Sequence, residues 1–151
     1  MKASDNCLAI IRHFEAFMTR PYLCPAGVPT IGYGSTHYED GTAVTLADPA
    51  ITIQRAEALM RNTLTRYEDM VSHYVTGTIN QNQFDALVDF AYNVGTQNLK
   101  TSTLLKSVNS GSIFTAANEF GKWNHCDGKV LRGLTERREA ERILFMRGVT
   151  I

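Results

Sequence analysis

Long apolar runs are absent from this sequence of 151 residues. Strictly apolar stretches reach only four residues, as at 8–11 and 143–146, whereas a membrane-spanning helix needs ~20 consecutive apolar residues. The N-terminal residues MKASDNC are charged and polar where a signal peptide requires an apolar segment. The sequence therefore indicates no stable membrane insertion and no export signal.

An excess of charge of one sign is also absent, because 15 Lys and Arg residues balance 15 Asp and Glu residues. A nucleic-acid-binding protein usually carries a strong basic excess, so that class of function is disfavoured. Along the chain, acidic residues predominate over residues 1–50 and basic residues over 101–151. This asymmetry predicts a basic face built from the C-terminal third.

Cysteine is scarce and odd in number, since the sequence contains only Cys7, Cys24 and Cys126, with no CxxC motif. This argues against a disulfide framework and against a zinc knuckle. His37 and His125 do not extend the cysteines to the spacing of a common metal site. We therefore expect reduced thiols and no metal.

Helical periodicity covers most of the chain, interrupted by one segment rich in Gly and Pro. Residues 4–18 predict a first helix that ends before Pro21. Residues 21–45 contain turn dipeptides between short β-prone pieces, at about 28–33 and 41–44, which predicts a small antiparallel sheet. Five helices are predicted after the sheet. The second of them is capped by Asn80 with Gln83 and ended by Gly95, and the last is capped by Thr135. The other four have the ranges 52–75, 102–109, 112–123 and 136–146.

These elements predict an α+β fold in one domain over residues 1–151. A small N-terminal lobe of about 15–55 would hold the short antiparallel sheet. A long connecting helix of about 52–75 would lead to a larger helical lobe, formed by about 76–151 together with the first helix. Ligand clefts often lie between such lobes.

Glu15 is followed at fixed spacing by Cys24 and Thr30, and Thr30 opens the glycine-rich sequence TIGYG. This order resembles the catalytic segment of the phage-type lysozymes, glycoside hydrolase family 24. The family pattern is Glu, eight residues, Asp or Cys, five residues, and Thr. Further blocks that resemble the family are QFDALV (83–88) with FAYNVG (90–95), STLL (102–105) with NSG (109–111), KW (122–123) and GLTERREAE (133–141). The resemblance implies a lysozyme-like fold.

The resemblance also implies hydrolysis of the β-1,4 bond between N-acetylmuramic acid and N-acetylglucosamine in bacterial peptidoglycan. Glu15 would be the general acid that protonates the departing glycosidic oxygen. Thr30 would hold the attacking water through its hydroxyl, and Cys24 would help to hold or activate that water. No metal or organic cofactor is implied, because protonation and a placed water suffice.

Cys24 departs from the commoner Asp of the family, and this changes the expected chemistry. A thiol has a reference pKa near 8.5, against ~3.9 for Asp. Unless a basic neighbour lowers its pKa, Cys24 would be mostly neutral at pH 7. We therefore expect Cys24 to be at best a partial base that positions water together with Thr30.

Other residues receive roles from the same resemblance. If Thr135 is the N-cap, Arg138 aligns with the arginine that pairs with the catalytic glutamate, and Arg137 is the alternative. Tyr92 and Asn93 match positions that face the glycan. His37 receives no catalytic role, because Ser35 stands where family members often have a histidine, and Trp123 is expected in the core.

The implied protein is a monomeric phage endolysin that accumulates in the cytoplasm of its bacterial host. A holin would release it to the glycan strands of the wall, although a tail-borne or secreted lysozyme fits equally well. Two other functions stay open: a non-hydrolytic peptidoglycan-binding module weakened at Cys24, and a lytic transglycosylase. The retained Glu15 and Thr30 favour the hydrolase.

Overall fold

A computed structural model describes residues 1–150 as a mainly helical chain with two small antiparallel sheets. Its elements are α1 (Asp5–Phe14), β1 (Met18–Leu23), β2 (Pro29–Gly32), α2 (Ile53–Tyr74), α3 (Gln81–Val94), α4 (Thr96–Thr101), α5 (Thr103–Asn109), α6 (Ile113–Glu119), a 3₁₀ turn (Phe120–Lys122), β3 (His125–Cys126), β4 (Lys129–Val130) and α7 (Arg132–Met146). The chain divides into two compact units. The first comprises Met1–Ile10 and the chain from Tyr67 onward, and the second comprises Ile11–Arg66.

The second unit contains the predicted antiparallel sheet, formed by β1 and β2. The sheet differs from the prediction in its first strand. We expected helix up to residue 18, but α1 ends at Phe14 and β1 begins at Met18. Pro21 is tolerated there because the pairing is irregular between Met18 and Tyr22, where the ladder does not need its missing N–H. Residues 41–44 form no strand, only a bridge between His37 and Ala43.

The core of the second unit joins the glycine-rich segment to α2. Ile31, Val44 and Leu59 are buried together, with Tyr38 and Ile51 packed against them. Gly32 has a positive φ of 67°, and a Cβ added there would lie 3.1 Å from Cβ of Ala56. Glycine at this position therefore satisfies both the backbone conformation and the close approach of β2 to α2.

The first unit is built around aromatic rings. Phe90 on α3 contacts Phe120 and Trp123 edge-to-face, with centroids 5.7 and 5.6 Å apart. Phe120 also contacts Phe145 of α7, at 5.4 Å. Edge-to-face pairs add to the stabilisation from burial alone. Trp123 thus packs on the core of this unit, as expected.

Local signals located several helix ends correctly. Asn80 accepts a hydrogen bond from the Gln83 N–H at 2.8 Å, and the Gln83 side chain accepts one from the Asn80 N–H at 2.9 Å, which completes the predicted capping box. Gly95 ends α3 with a φ of 100°. Within residues 1–150, no helix is both long and apolar enough to cross a bilayer.

The prediction for the start of α7 is wrong. The helix begins at Arg132, and the Thr135 N–H already donates to the Leu131 carbonyl at 3.0 Å. Thr135 therefore lies inside the first turn, and its hydroxyl bonds the same carbonyl rather than capping. The unpredicted β3–β4 hairpin leads directly into this turn. Its tight turn places Asp127 and Gly128 at positive φ, a conformation that the Asp-Gly dipeptide favours.

Candidate active site

Glu15 lies immediately after the last residue of α1 in the second unit. Its N–H donates to the Ile11 carbonyl at 2.7 Å, which continues the helical hydrogen bonding by one residue. The residue is half-buried. The backbone at Glu15 is therefore held by the helix, while the chain beyond it turns toward β1.

Cys24 directly follows β1, and Thr30 lies in β2, just beyond the loop that joins the two strands. The Cys24 N–H donates to the Val28 carbonyl at 3.1 Å, and the Gly27 N–H donates to the Cys24 carbonyl at 2.8 Å. Thr30 is buried, and its hydroxyl donates to the Val28 carbonyl at 2.9 Å. The tight turn thus brings these two predicted site residues together.

The turn changes the acidity of the Cys24 thiol. Hydrogen bonds to its sulfur, first from the Val28 backbone and then from the Ala26 backbone and the Thr30 side chain, lower its pKa against the opposing effect of burial. We expected a basic side chain to be needed for this effect. Backbone N–H groups of the turn replace it, because they stabilise the thiolate in the same way.

Thr30 is suited to bind water beside this sulfur. A hydroxyl has one proton and two acceptor lone pairs. If it donates to the Val28 carbonyl or to Cys24, its lone pairs are left to accept a hydrogen bond from water.

Tyr22 is a member of this cluster that sequence reasoning missed. It lies directly opposite Thr30 in the β1–β2 pairing and is half-buried. Burial raises the pKa of its hydroxyl, and the charges of Glu15 and Cys24 raise it further. The same hydroxyl therefore lies near both predicted acidic groups. No spacing rule could identify it, because its position opposite Thr30 depends on the strand register.

Tyr92 and Asn93, the predicted glycan-binding residues, lie near the end of α3 in the first unit. Both are half-buried. The ring of Tyr92 packs on that of Tyr67, with centroids 5.3 Å apart. The side-chain oxygen of Asn93 is buried and accepts no hydrogen bond from residues 1–150.

Arg137 and Arg138 belong to a buried charged cluster between α3 and α7. Arg137 donates two hydrogen bonds to Asp89, at 3.0 and 2.7 Å. Arg138 donates to Glu141 at 2.8 Å and stacks over the Phe90 ring. All four charged residues are almost inaccessible to solvent. Because Thr135 is not the N-cap, the alignment that favoured Arg138 over Arg137 loses its basis.

The two carboxyl groups of this cluster have opposite protonation preferences. Burial and the neighbouring Asp89 raise the pKa of Glu141 well above its usual range. Burial acts against Asp89 too, but the hydrogen bond from Glu141 and the charge of Arg137 lower its pKa. A proton held by this pair therefore favours Glu141, which can donate it in a hydrogen bond to Asp89.

The remaining polar candidates have ordinary structural contacts. Ser35 is buried, with its hydroxyl 3.4 Å from that of Thr63. His37 is exposed and contacts the neighbouring Thr36 hydroxyl at 3.0 Å. Among residues 1–150, no three His, Cys, Asp or Glu side chains are grouped to hold a metal ion.

Comparison with known families decides the affiliation. Residues 12–141 match the phage lysozyme family. The chain belongs to the phage lysozyme family. The family resemblance inferred from the sequence is therefore confirmed. The specific Glu–Cys–Thr arrangement stays a prediction.

Relatives of this phage lysozyme family member are endolysins. The endolysin of Bacillus phage B103 is 44% identical over 98% of this chain but only 55% of its own length. The chain thus spans about 55% of that curated relative.

Solved structures confirm the lysozyme-like fold class. The endolysin from Escherichia coli O157:H7 phage FAHEc1 matches 100% of this chain and 97% of its own, with a TM-score of 0.88 and 32% identity. The muramidase domain of SpmX from Asticaccaulis excentricus matches 96% of this chain and 97% of its own, with a TM-score of 0.83 and 32% identity.

Proposed function

We propose that this chain is an endolysin that hydrolyses the β-1,4 bond between N-acetylmuramic acid and N-acetylglucosamine in bacterial peptidoglycan. The observation that carries the proposal is the cluster in the second unit. There a single turn joins Cys24 to Thr30, and Tyr22 lies near both Glu15 and Cys24. The family membership and the likeness to the muramidase domain of SpmX support the same reaction.

In the proposed reaction, Glu15 protonates the departing glycosidic oxygen as positive charge develops on the sugar ring. Thr30 accepts a hydrogen bond from the attacking water. Cys24, with its lowered pKa, accepts a second hydrogen bond from that water and helps to draw off its proton. The products are a reducing muramic acid end and a new non-reducing glucosamine end.

Tyr92 and Asn93 are proposed to bind the glycan. The buried Asn93 oxygen is an acceptor without a partner in residues 1–150, and a sugar acetamido N–H would supply one. Following the family resemblance, Arg138, or alternatively Arg137, is proposed to pair with Glu15.

The biological setting is part of the proposal. The chain would act as a single lysozyme-like domain and as a monomer on glycan strands. It would accumulate in the host cytoplasm and reach the wall after a holin opens the membrane. The basic residues of the C-terminal third would favour the anionic wall.

The test is mass spectrometry of soluble products from purified Gram-negative peptidoglycan, with Glu15→Gln as the matched variant. We expect muropeptides with reducing muramic acid ends. Glu15→Gln should lower the rate by roughly 10²–10⁴-fold, because glutamine cannot donate the proton.

The alternative functions give different products. Anhydro ends would identify a lytic transglycosylase. If neither protein releases fragments and the native protein still sediments with the wall, the chain is a binding module and hydrolysis is excluded.

A further inference from the structure

A cavity of about 550 Å³ opens in the second unit, and its size lies within the ~300–1,000 Å³ range of small-molecule sites. The loop that follows β2 and the first turn of α2 supply its lining. Its apolar lining comes from Tyr38, Pro49 and Ile51. The Tyr38 ring is held in place, because it packs on the buried core and its hydroxyl donates to Asp48 at 2.7 Å. These residues are separate from those predicted for catalysis.

The polar lining of the cavity is fixed by hydrogen bonds between its own side chains. Arg55 donates through its two terminal nitrogens to the two carboxylate oxygens of Glu39, which fixes the plane of the guanidinium. Asp40 accepts at one oxygen from the Thr42 N–H and the Thr42 hydroxyl, at 2.9 and 2.6 Å. The polar groups are therefore already oriented before any ligand arrives.

Both donors and acceptors in this cavity retain hydrogen-bonding capacity. Arg55 uses two of its five side-chain N–H groups on Glu39, and the others are available. The second carboxylate oxygen of Asp40 accepts no hydrogen bond from residues 1–150. The hydrogen bonds from Thr42 lower the pKa of Asp40, so this oxygen stays an acceptor at neutral pH.

This combination of groups indicates the chemical class of the ligand. A cation would bind the carboxylates but leave the N–H groups of Arg55 without acceptors. An anion would bind Arg55 but leave the carboxylates without donors. A sugar ring suits both kinds of group, because each hydroxyl donates and accepts. Its C–H face also packs on an apolar surface such as a tyrosine ring.

We propose that this cavity is a second glycan-binding site, which takes N-acetylhexosamine units of a peptidoglycan strand through Asp40, Arg55 and the Tyr38 ring. The inference rests on the proposed function, in which that strand is the substrate. The site holds the strand without touching the bond that is cut. It therefore raises the affinity for long strands, because binding at one place increases the effective concentration of the strand at the other.

The binding test is an NMR titration of the Glu15→Gln variant with a tetrasaccharide of β-1,4-linked N-acetylglucosamine. We expect the backbone amide signals of Asp40, Thr42 and Arg55 to shift. Adding Asp40→Asn should weaken the binding reported by these signals about tenfold, because a hydrogen bond to a charged acceptor is lost. Signals that move only outside the cavity would overturn the proposal. So would cavity signals that respond to calcium or ammonium ions but not to the tetrasaccharide.

The kinetic test compares Arg55→Gln with Arg66→Gln on purified peptidoglycan. Arg66 is a matched control, because it is exposed on the same helix, α2, and does not line the cavity. We expect Arg55→Gln to raise the apparent KM about 3- to 10-fold with kcat unchanged, as when binding shared by ground and transition states is removed. Arg66→Gln should behave like wild type, and urea midpoints check that both variants fold. An equal KM for the two variants, or a fall in kcat alone, would overturn the proposal.

The titration does not depend on hydrolysis, so it separates this proposal from the proposed function. If the native protein releases no muropeptides but the tetrasaccharide shifts the cavity signals, the proposed function fails and the second glycan site stands. If muropeptides are released and the cavity signals do not move, the proposed function stands and the second glycan site is overturned.

Discussion

At the scale of single residues, the chemistry of Cys24 depends on the turn that surrounds it. Backbone N–H groups from Val28 and Ala26, rather than a basic side chain, lower the pKa of this thiol. Cys7 shows the opposite behaviour, because burial and nearby carboxylates, chiefly Asp89, raise its pKa. Two cysteines of one sequence are thus given different acidity by their local environments.

Substitution at Cys24 tests whether its thiolate takes part in catalysis. We expect Cys24→Ser to lose about tenfold or more in activity at pH 7, because a serine hydroxyl does not ionise there. Cys24→Asp should stay active and extend activity to lower pH, since Asp ionises near 3.9. The measurement is a pH–rate profile on purified peptidoglycan. Full activity of Cys24→Ser from pH 5 to 8 would exclude thiolate chemistry.

The buried arginines can be distinguished by parallel substitution. Arg137→Ala leaves Asp89 without its two-hydrogen-bond partner, and removing one member of a buried pair typically costs ~3–5 kcal/mol. Arg138→Ala should cost less, because the raised pKa of Glu141 lets this carboxyl group take up a proton when its partner is lost. Urea unfolding of each variant measures these losses in the free energy of unfolding. The activity per folded molecule is then measured for both Ala variants and for the corresponding Lys variants, and it shows which arginine supports Glu15. Equal and trivial effects of both substitutions would refute the pairing.

At the scale of elements, the packing of β2 on α2 depends on Gly32. A side chain there meets two obstacles: the positive φ and the Cβ of Ala56 at 3.1 Å. Gly41 is a natural comparison, because it has a φ of 86° but nothing within 4 Å of an added Cβ. Alanine substitutions at these two glycines therefore separate the cost of backbone strain from the cost of steric contact.

We expect Gly41→Ala to lower the free energy of unfolding by roughly 1–2 kcal/mol, the usual penalty for a left-handed conformation. Gly32→Ala should lower it by about 1–3 kcal/mol more, because overpacking adds to the same strain. Urea unfolding of the two variants under identical conditions measures the difference. Equal losses would show that β2 can move away from Ala56.

At the scale of the whole molecule, the burial of charged residues gives the surface a charge balance that differs from the zero net charge of the sequence. The buried charged residues of the first unit are mostly acidic: Glu68, Asp85, Asp89, Glu119 and Glu141, against Arg137 and Arg138. Its exposed charges are therefore biased toward basic ones, although Lys and Arg equal Asp and Glu in the sequence. Composition alone could not show this bias.

Folding stability should depend on pH through Glu141. Its raised pKa means that the folded state keeps a proton that the unfolded state releases above the usual carboxyl range. Stability from this group is therefore present at acidic pH and falls as pH rises toward the folded pKa. Glu141→Gln, a neutral mimic, should flatten this decline.

Urea unfolding at pH 5, 7 and 9 tests the linkage. The exposed Glu136 provides a control substitution on the same helix, α7. A Glu141→Gln curve parallel to wild type would show that Glu141 is ionised in the folded protein.

Much of the fold and of the candidate site follows from local patterns. The periodicity of α2, the capping box at Asn80 and the glycine that ends α3 were all predictable, because each involves residues within one or two helical turns. The Glu15, Cys24 and Thr30 spacing was recognisable because it resembles a known family pattern. Thr135 misled the prediction of α7, because a threonine near a helix start is ambiguous until its hydroxyl partner is known.

The sequence by itself determined most of the helical elements, the family and the spacing of the predicted catalytic residues, since these depend on patterns along the chain. Only the tertiary structure decided that Tyr22 lies opposite Thr30 and that Arg137 and Arg138 are buried rather than solvated. It also decided how backbone N–H groups lower the Cys24 pKa. The physical reason is common to all three: strand register, burial and the direction of an N–H bond are set by contacts that no local pattern encodes.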